Sequence, residues 1–492
     1  MTTAQTRQGT VSGVYADGVH AFKGIPYAAA PFGSRRMRPP EPPAAWDGVR
    51  DCTQFGPTAP KNPYAPPFDA LLIEPAIPGE DCLNLNVWTP DLGDARLPVL
   101  VWIHGGAFVY GSGAVPTYDG SAFARDGVVC VTINYRLGAD GFLFLGDGVA
   151  NTGLLDQIAA LHWVQDNITF FGGDPARVTI AGQSAGAMSV TTLLSMPRTA
   201  GLFRRAVAQS GAGQHVLSPG MAAQVGGYLA EKLGVPAKRE SIAEAPVQQL
   251  LDAQSALSVE SQTPPPNPAR WGEITTNLMV FEPVVDGEVL PAVPLDGIRL
   301  GAGRDVDVLI GTNTDEWRFF TEPLGVLAYI DDAVLHAAAA GYGLGEGALE
   351  TYRANRPGAS AGDLYAAVVT DWFFRIPAIR VAEARSGSPT WIYQFAWETP
   401  VRGNSLGSCH SVEVPFVFDT LHCDGSDWIA GPQPPQPLAD AMHRAWVGFV
   451  TSGDPGWDSY RPEDRTTMVF NTQNAIAHDP RGDERLLWEG QR

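Results

Sequence analysis

The chain lacks most of what would take it to a membrane, a nucleic acid or an oxidising compartment. Its first residues, Met1-Thr2-Thr3-Ala4-Gln5-Thr6-Arg7-Gln8, contain no apolar core, so no secretory signal is expected there. The longest apolar stretches, such as Leu97-Pro98-Val99-Leu100-Val101-Trp102-Ile103, have the length of a strand and fall far short of a bilayer span. Basic residues are scarce: 33 Lys and Arg stand against 53 Asp and Glu, for a formal charge of −20. Nucleic acid and anionic membrane surfaces both call for basic patches, so neither is an expected partner. The five cysteines (Cys52, Cys82, Cys130, Cys409 and Cys423) are an odd number without metal-ligand spacing. No metal site is expected, and free thiols in a reducing cytoplasm fit this pattern best. Internal repeats and coiled-coil heptads are absent as well.

What the chain does have is apolar bulk. Hydrophobic residues make up 45% of its 492 positions and charged residues 17%, the composition of a soluble globular protein with a large core. Val99-Leu100-Val101-Trp102-Ile103 and Val128-Val129-Cys130-Val131-Thr132-Ile133 are continuous apolar runs, as expected of strands covered on both faces. Helical patterns follow, among them Leu154 to Asn167. Strands alternating with helices predict an α/β fold, with a mostly parallel sheet between helical layers. Proline-rich loops are read at about Pro57 to Pro78, Val259 to Arg270 and Gly431 to Pro437. The last of these precedes a helix predicted over Leu438 to Thr451. Residues 325–385 read as helical. These segments are taken as insertions around one sheet, so residues 1–492 form a single expected domain. In such a fold function collects in loops at the C-terminal ends of the strands.

The most informative stretch is Gly182-Gln183-Ser184-Ala185-Gly186. The strand-like Arg177-Val178-Thr179-Ile180-Ala181 precedes it and the helix-like Ala187 to Leu194 follows. G-x-S-x-G at a strand-to-helix junction is a nucleophile elbow, a turn so sharp that its serine projects from a strained backbone. A serine hydroxyl needs a base, and the base an orienting acid, here expected in the order acid, then histidine. His410 follows the strand-like Trp391 to Ala396, where a catalytic histidine should hang. Glu316 lies in a loop after the apolar run Val306 to Ile310, with Asp315 as a competitor that spacing alone does not exclude. Attack on an ester creates an oxyanion, which needs N–H donors. Ala185 supplies one, and His104-Gly105-Gly106-Ala107-Phe108, just after a strand, is the natural source of others.

These motifs resemble the type-B carboxylesterases, the family of cholinesterases, animal carboxylesterases and bacterial p-nitrobenzyl esterases. The resemblance covers nearly the whole chain. It runs through Phe22-Lys23-Gly24-Ile25-Pro26-Tyr27-Ala28, Glu80-Asp81-Cys82-Leu83-Asn84, Asn134-Tyr135-Arg136-Leu137, Gly153 to Gln157 and Phe171-Gly172-Gly173-Asp174-Pro175, then Gln209-Ser210-Gly211. It implies an α/β-hydrolase fold with an inserted helical region at about 325–385. Ser184 is then the nucleophile, Glu316 the acid in preference to Asp315, and His410 the base. Gly106, Ala107 and Ala185 resemble the oxyanion-hole residues, and Ser210 a residue that hydrogen-bonds near the acid. The implied activity is hydrolysis of small carboxylic esters with short to medium acyl chains, without metal or cofactor. The monomer is the favoured state and the cytoplasm the expected location. A lipase acting at interfaces and a non-catalytic binding member of the family are the rival readings.

The chain departs from the family pattern in several places. Gln183 stands where a glutamate is common, and no tryptophan lies between Pro60 and Glu80 to receive a quaternary ammonium group. Thr58-Ala59-Pro60 offers Cys82 no upstream partner, so Cys82 is expected as a free buried thiol. Arg136 with Asp156, and Arg36 with Glu80, are expected as scaffold ion pairs. Trp271, Phe281 and Phe320 are candidates for an acyl pocket or for plain packing. Trp372-Phe373-Phe374 reads as packing.

Overall fold

The structure is a computed structural model and describes residues 1–345 and 347–491. Its centre is a sheet of 13 strands. From one edge the order is Thr2–Gln5, Thr10–Ala16, Val19–Pro26, Asn84–Thr89, Val129–Ile133, Leu97–Ile103, Gly173–Gln183, Arg205–Gln209, Asp307–Asn313, Thr390–Phe395, Thr466–Phe470 and Ala475–His478. The short strand Val49–Asp51 pairs with Thr10–Ala16. From Val129–Ile133 to Thr466–Phe470 every pairing is parallel, and the strands outside that block pair antiparallel along the main path.

The apolar runs form strands because both of their faces are covered. Val99, Val101 and Ile103 enter one core cluster, while Leu100 and Trp102 enter another on the opposite side. Val178 and Ile180 divide from Ala181 in the same way, and Ala206 and Ala208 from Val207. Side chains alternate along a strand, so an unbroken apolar run feeds two cores at once. One core is capped by the helix Ala185–Ser195, which contributes Ala187, Val190 and Leu193. The other is capped by the helix Gln436–Ser452 through Leu438, Met442, Trp446 and Phe449, spaced three or four apart on one stripe.

Register levels the strand ends that carry the chemistry. Gly182 lies opposite both Ile103 and Ala208, Gln183 opposite Gln209, Gln209 opposite Gly311, and Asn313 opposite Phe395. The segments leaving these ends therefore start side by side, and they hold His104–Ala107, Ser184, Ser210, Glu316 and His410.

Several sequence expectations need correction. The helix Val247–Gln262 runs through the first residues of the loop expected from Val259 to Arg270, and only the prolines from Pro264 onward stop it. A further short helix, Pro268–Trp271, closes that segment. The last long helix starts at Gln436, with Pro437 in its first turn, where a missing N–H costs nothing. Helices Asp332–Gly341, Ala348–Asn355, Ala361–Thr370 and Ile376–Ala384 fill the region read as helical, around a core of their own that includes Leu335, Tyr352, Leu364 and Trp488.

Arg136 and Asp156 form the expected buried pair, two parallel bonds of 2.8 and 2.6 Å. Arg36 does not reach Glu80, which is exposed; it pairs at 2.8 Å with Asp140 in the short helix Gly138–Phe142. All five cysteines are free thiols, four of them buried and Cys423 half-buried.

Candidate active site

Ser184 sits between the strand Gly173–Gln183 and the helix Ala185–Ser195 at φ 57°, ψ −127°. Such a backbone is costly for any residue with a Cβ and survives only where its surroundings enforce it. Here the glycines allow it. A Cβ on Gly186 would lie 2.0 Å from the Ile103 carbonyl oxygen, and one on Gly182 would lie 2.5 Å from the Gly186 carbonyl carbon. The turn is held from below by the Ser184 N–H donating to the Gln209 carbonyl at 2.9 Å. Ser184 is half-buried, and its hydroxyl makes no hydrogen bond to the described residues.

Beside it runs the segment after Leu97–Ile103. Gly106, Ala107 and Phe108 all adopt positive φ, at 109°, 51° and 61°. This turn leaves the N–H groups of Gly106 and Ala107 without a hydrogen-bond partner among the described residues. The Ala185 N–H belongs to the first turn of its helix, where N–H groups have no partner within the helix and favour negative charge. His104 props the turn. Its ring stacks on Tyr135 at 4.5 Å, and burial pushes its pKa down to about 3, so it is a neutral brace.

A second brace comes from the proline-rich segment 57–78. The Glu74 carboxylate accepts the Gly111 N–H at 2.7 Å and pairs at 3.2 Å with Lys61, whose side chain is almost fully enclosed. Burial pulls the Lys61 ammonium below its ordinary value and lifts the Glu74 carboxyl, while the pairing opposes both shifts. Sequence reasoning passes over this pair, although Lys61 is the one basic residue of the proline-rich segment 57–78.

On the other side of the site, His410 Nδ1 lies 2.6 Å from Glu316 Oε2, with both residues buried. The other Glu316 oxygen accepts the Asn313 N–H at 2.8 Å. Asp315 points elsewhere, its carboxylate accepting the Ser408 N–H at 3.1 Å. The second nitrogen of His410, Nε2, lies 3.2 Å from Gln183 Nε2. Below the histidine a buried Glu413 accepts from Asn313 Nδ2 at 2.7 Å and from Gln209 Nε2 at 3.2 Å. Burial, reinforced by the nearby Glu316 carboxylate, pushes the Glu413 carboxyl up to about 7. Ser210 is fully buried at φ 55°, and its N–H donates to the Gly311 carbonyl at 2.8 Å. Its hydroxyl has no partner among the described residues, so the hydrogen bond expected near the acid is not made.

Aromatic rings pack on the histidine. Phe374 and Phe320 lie 4.8 and 5.1 Å from the His410 ring, with Phe319 behind them at 6.1 Å. Phe374 stands on a π-helical turn, Asp371–Arg375, and the extra residue of that turn re-aims the side chains that follow. The run read as packing is thus divided. Trp372 packs on Trp488 and Phe373 on His215, whereas Phe374 faces the histidine. Of the three acyl-pocket candidates only Phe320 reaches His410; Trp271 packs on Tyr228, and Phe281 is buried in the core.

With this geometry in place, the likeness to known proteins has a physical basis. A profile of the carboxylesterase family matches residues 1–488. Para-nitrobenzyl esterase of Bacillus subtilis is 36% identical over 503 aligned positions, covering 98% of this chain and 97% of that protein. Phenmedipham hydrolase of Pseudarthrobacter oxydans is 35% identical over 496 positions, 97% of this chain and 96% of that one. The crystal structure of a Geobacillus stearothermophilus carboxylesterase superposes with a TM-score of 0.86 at 39% identity, covering 99% of this chain and all of the other. The chain has the α/β-hydrolase fold, belongs to the carboxylesterase family and is a carboxylic ester hydrolase.

Proposed function

We propose that Ser184 is the nucleophile, His410 the base and Glu316 the acid of this esterase, and that the N–H groups of Gly106, Ala107 and Ala185 form its oxyanion hole. The observation that carries this reading is the 2.6 Å contact between His410 and Glu316 beside a serine on a strained elbow. Ser184 Oγ attacks the ester carbonyl carbon as its proton passes to His410 Nε2. The carbonyl oxygen takes the negative charge against the three N–H groups. The intermediate collapses, the C–O bond to the alcohol breaks, and His410 returns the proton to the departing oxygen. Water, deprotonated by the same nitrogen, then cleaves the acyl-enzyme. Glu316 keeps the hydrogen on Nδ1 and stabilises the imidazolium. Ser210 backs the site from the neighbouring strand end.

The substrates are neutral esters with short to medium acyl chains. Phe320 and Phe374 supply an apolar wall, and Gln183 puts no charge beside the nucleophile. Residues 1–492 act as one unit, and the protein works as a monomer, since Ser184, Glu316 and His410 need no residue from a second copy. Five free thiols support a cytoplasmic location. The test is labelling with a fluorophosphonate probe. Wild type should be labelled, and Ser184→Ala should be folded, inactive and unlabelled. Labelling that persists in the variant rejects the assignment.

A further inference from the structure

His410 is engaged at both ring nitrogens. Glu316 Oε2 lies 2.6 Å from Nδ1, and Gln183 Nε2 lies 3.2 Å from His410 Nε2. An ionised carboxylate only accepts, so Nδ1 carries the ring hydrogen. A carboxamide nitrogen only donates, so His410 Nε2 presents its lone pair to it. We propose that Gln183 is a positioning residue that selects the neutral, hydrogen-accepting form of His410 and yields Nε2 to the Ser184 hydroxyl during turnover. This rests on the reading of His410 as base.

The surroundings give Gln183 that task. Its side chain is buried, and a Cβ on Gly105 would lie 3.1 Å from its Oε1. The oxygen end therefore lies against the loop with free N–H groups, and the nitrogen end faces the imidazole. Two carboxyl groups lie near His410: Glu316, from the segment after Asp307–Asn313, touches Nδ1, and Glu413, three residues on in the same loop, is held by Asn313 and Gln209. The remaining neighbours are the rings of Phe319, Phe320 and Phe374 and the elbow itself. An imidazole with hydrogen on both nitrogens is no base. Among these neighbours only Gln183 holds Nε2 as a hydrogen-bond acceptor. Once Nε2 carries a hydrogen, donor meets donor and the contact is lost, so the carboxamide stabilises the form that can act. The Ser184 hydroxyl has no partner in this state, which is what a nitrogen already occupied by Gln183 implies.

The test compares pH profiles of kcat/KM on p-nitrophenyl butyrate for wild type, Gln183→Met and Gln183→Glu, with active sites counted by fluorophosphonate titration. Losing one hydrogen bond of ordinary net strength should move the acid limb of Gln183→Met upward by about half a pH unit. The carboxylate of Gln183→Glu accepts from the imidazolium, so its limb should move by about one unit or more. An unmoved limb in Gln183→Met overturns the proposal whatever Gln183→Glu does, because a shift in the latter alone reports only added charge. A lower Tm with an unmoved limb assigns Gln183 a purely structural role and overturns it equally. Nitrogen NMR of isotope-labelled histidine in wild type gives a check that needs no variant. It should show hydrogen on Nδ1 and an accepting Nε2 near neutral pH, and the opposite tautomer overturns the proposal. Failure of the catalytic reading itself is separable, since His410→Asn would then retain turnover.

Discussion

Glu74 takes the N–H of Gly111 at 2.7 Å, and through that bond, together with Tyr64 on Tyr110 at 4.5 Å, a proline-rich segment reaches the loop beside the nucleophile. Gly106 to Phe108 bend with positive φ; the Val109 and Tyr110 N–H groups close the turn on the Gly106 carbonyl at 2.9 and 2.8 Å, while those of Gly106 and Ala107 stay free. Braces from outside add to these bonds: His104 on Tyr135 at one end and Glu74, with Lys61 behind it, at the other. Donors aimed in advance are what make such a loop useful in catalysis.

Lys61→Met should therefore harm both stability and rate. Removing one partner of a buried pair leaves a charge without compensation and typically costs about 3–5 kcal/mol. A fall in Tm together with a lower kcat is expected. The double variant Lys61→Met/Glu74→Gln should recover much of the Tm, because no buried charge remains. If the double variant is as unstable as the single one, the pair is not what holds this segment.

Glu316→Gln should lower kcat by several orders of magnitude, because an amide cannot stabilise the imidazolium of His410. Asp315→Asn should cost far less, since that carboxylate binds a backbone N–H and not the histidine. Steady-state kinetics on one p-nitrophenyl ester decides between them, and reversed effects would move the acid to Asp315.

Glu413 should give stability a distinctive pH dependence. Its carboxyl is raised from an ordinary 4.5 to about 7 by burial and by Glu316. Between those values the folded chain holds a proton that the unfolded chain has released. By linkage, stability then falls as pH rises through that window, by on the order of 3 kcal/mol in total. Glu413→Gln cannot ionise and should escape this loss. Denaturant unfolding at pH 5 and pH 8 should show wild type losing more stability than the variant, and equal losses would contradict the raised value.

Neutral esters should outperform choline esters by at least about tenfold in kcat/KM, since a desolvated cation–π contact is worth about 2 kcal/mol and no tryptophan is available in segment 60–80 to make it. Butyrylthiocholine should be compared with a neutral thioester of matched size. Faster turnover of the cation would reveal a cation site built from other residues.

What was readable in the sequence, and what was not, divides along a physical line. The elbow was legible because a buried parallel strand writes itself as an unbroken apolar run and the turn after it needs small residues at fixed places. Gly186 against the Ile103 carbonyl is the reason in atomic terms. The choice of Glu316 over Asp315 came from family likeness, since adjacent acids on one loop share every local signal. Long-range pairings left no local trace, so Arg36 was matched to the wrong acid; its true partner Asp140 lies on a short helix. Phe374 is not legible as a site residue, because its facing depends on a π turn that shifts the register by one residue. In the sequence Gln183 shows only as a missing charge, because its contact with His410 depends on a residue 227 positions away.

The free thiols bring a consequence of their own. Burial pushes the Cys52 thiol up to about 12 and raises Cys82, Cys130 and Cys409 as well, so at neutral pH each is both shielded and short of the thiolate that alkylating agents attack. Cys423 is only half-buried, and its thiol is raised too. The cysteines are spread widely: Cys52 next to the short N-terminal strand Val49–Asp51, Cys130 in the middle of the sheet, Cys409 beside the histidine. Under heat or denaturant, the order in which they accept a label becomes a timed record of which part of the molecule comes apart first, written by the chain without any added reporter.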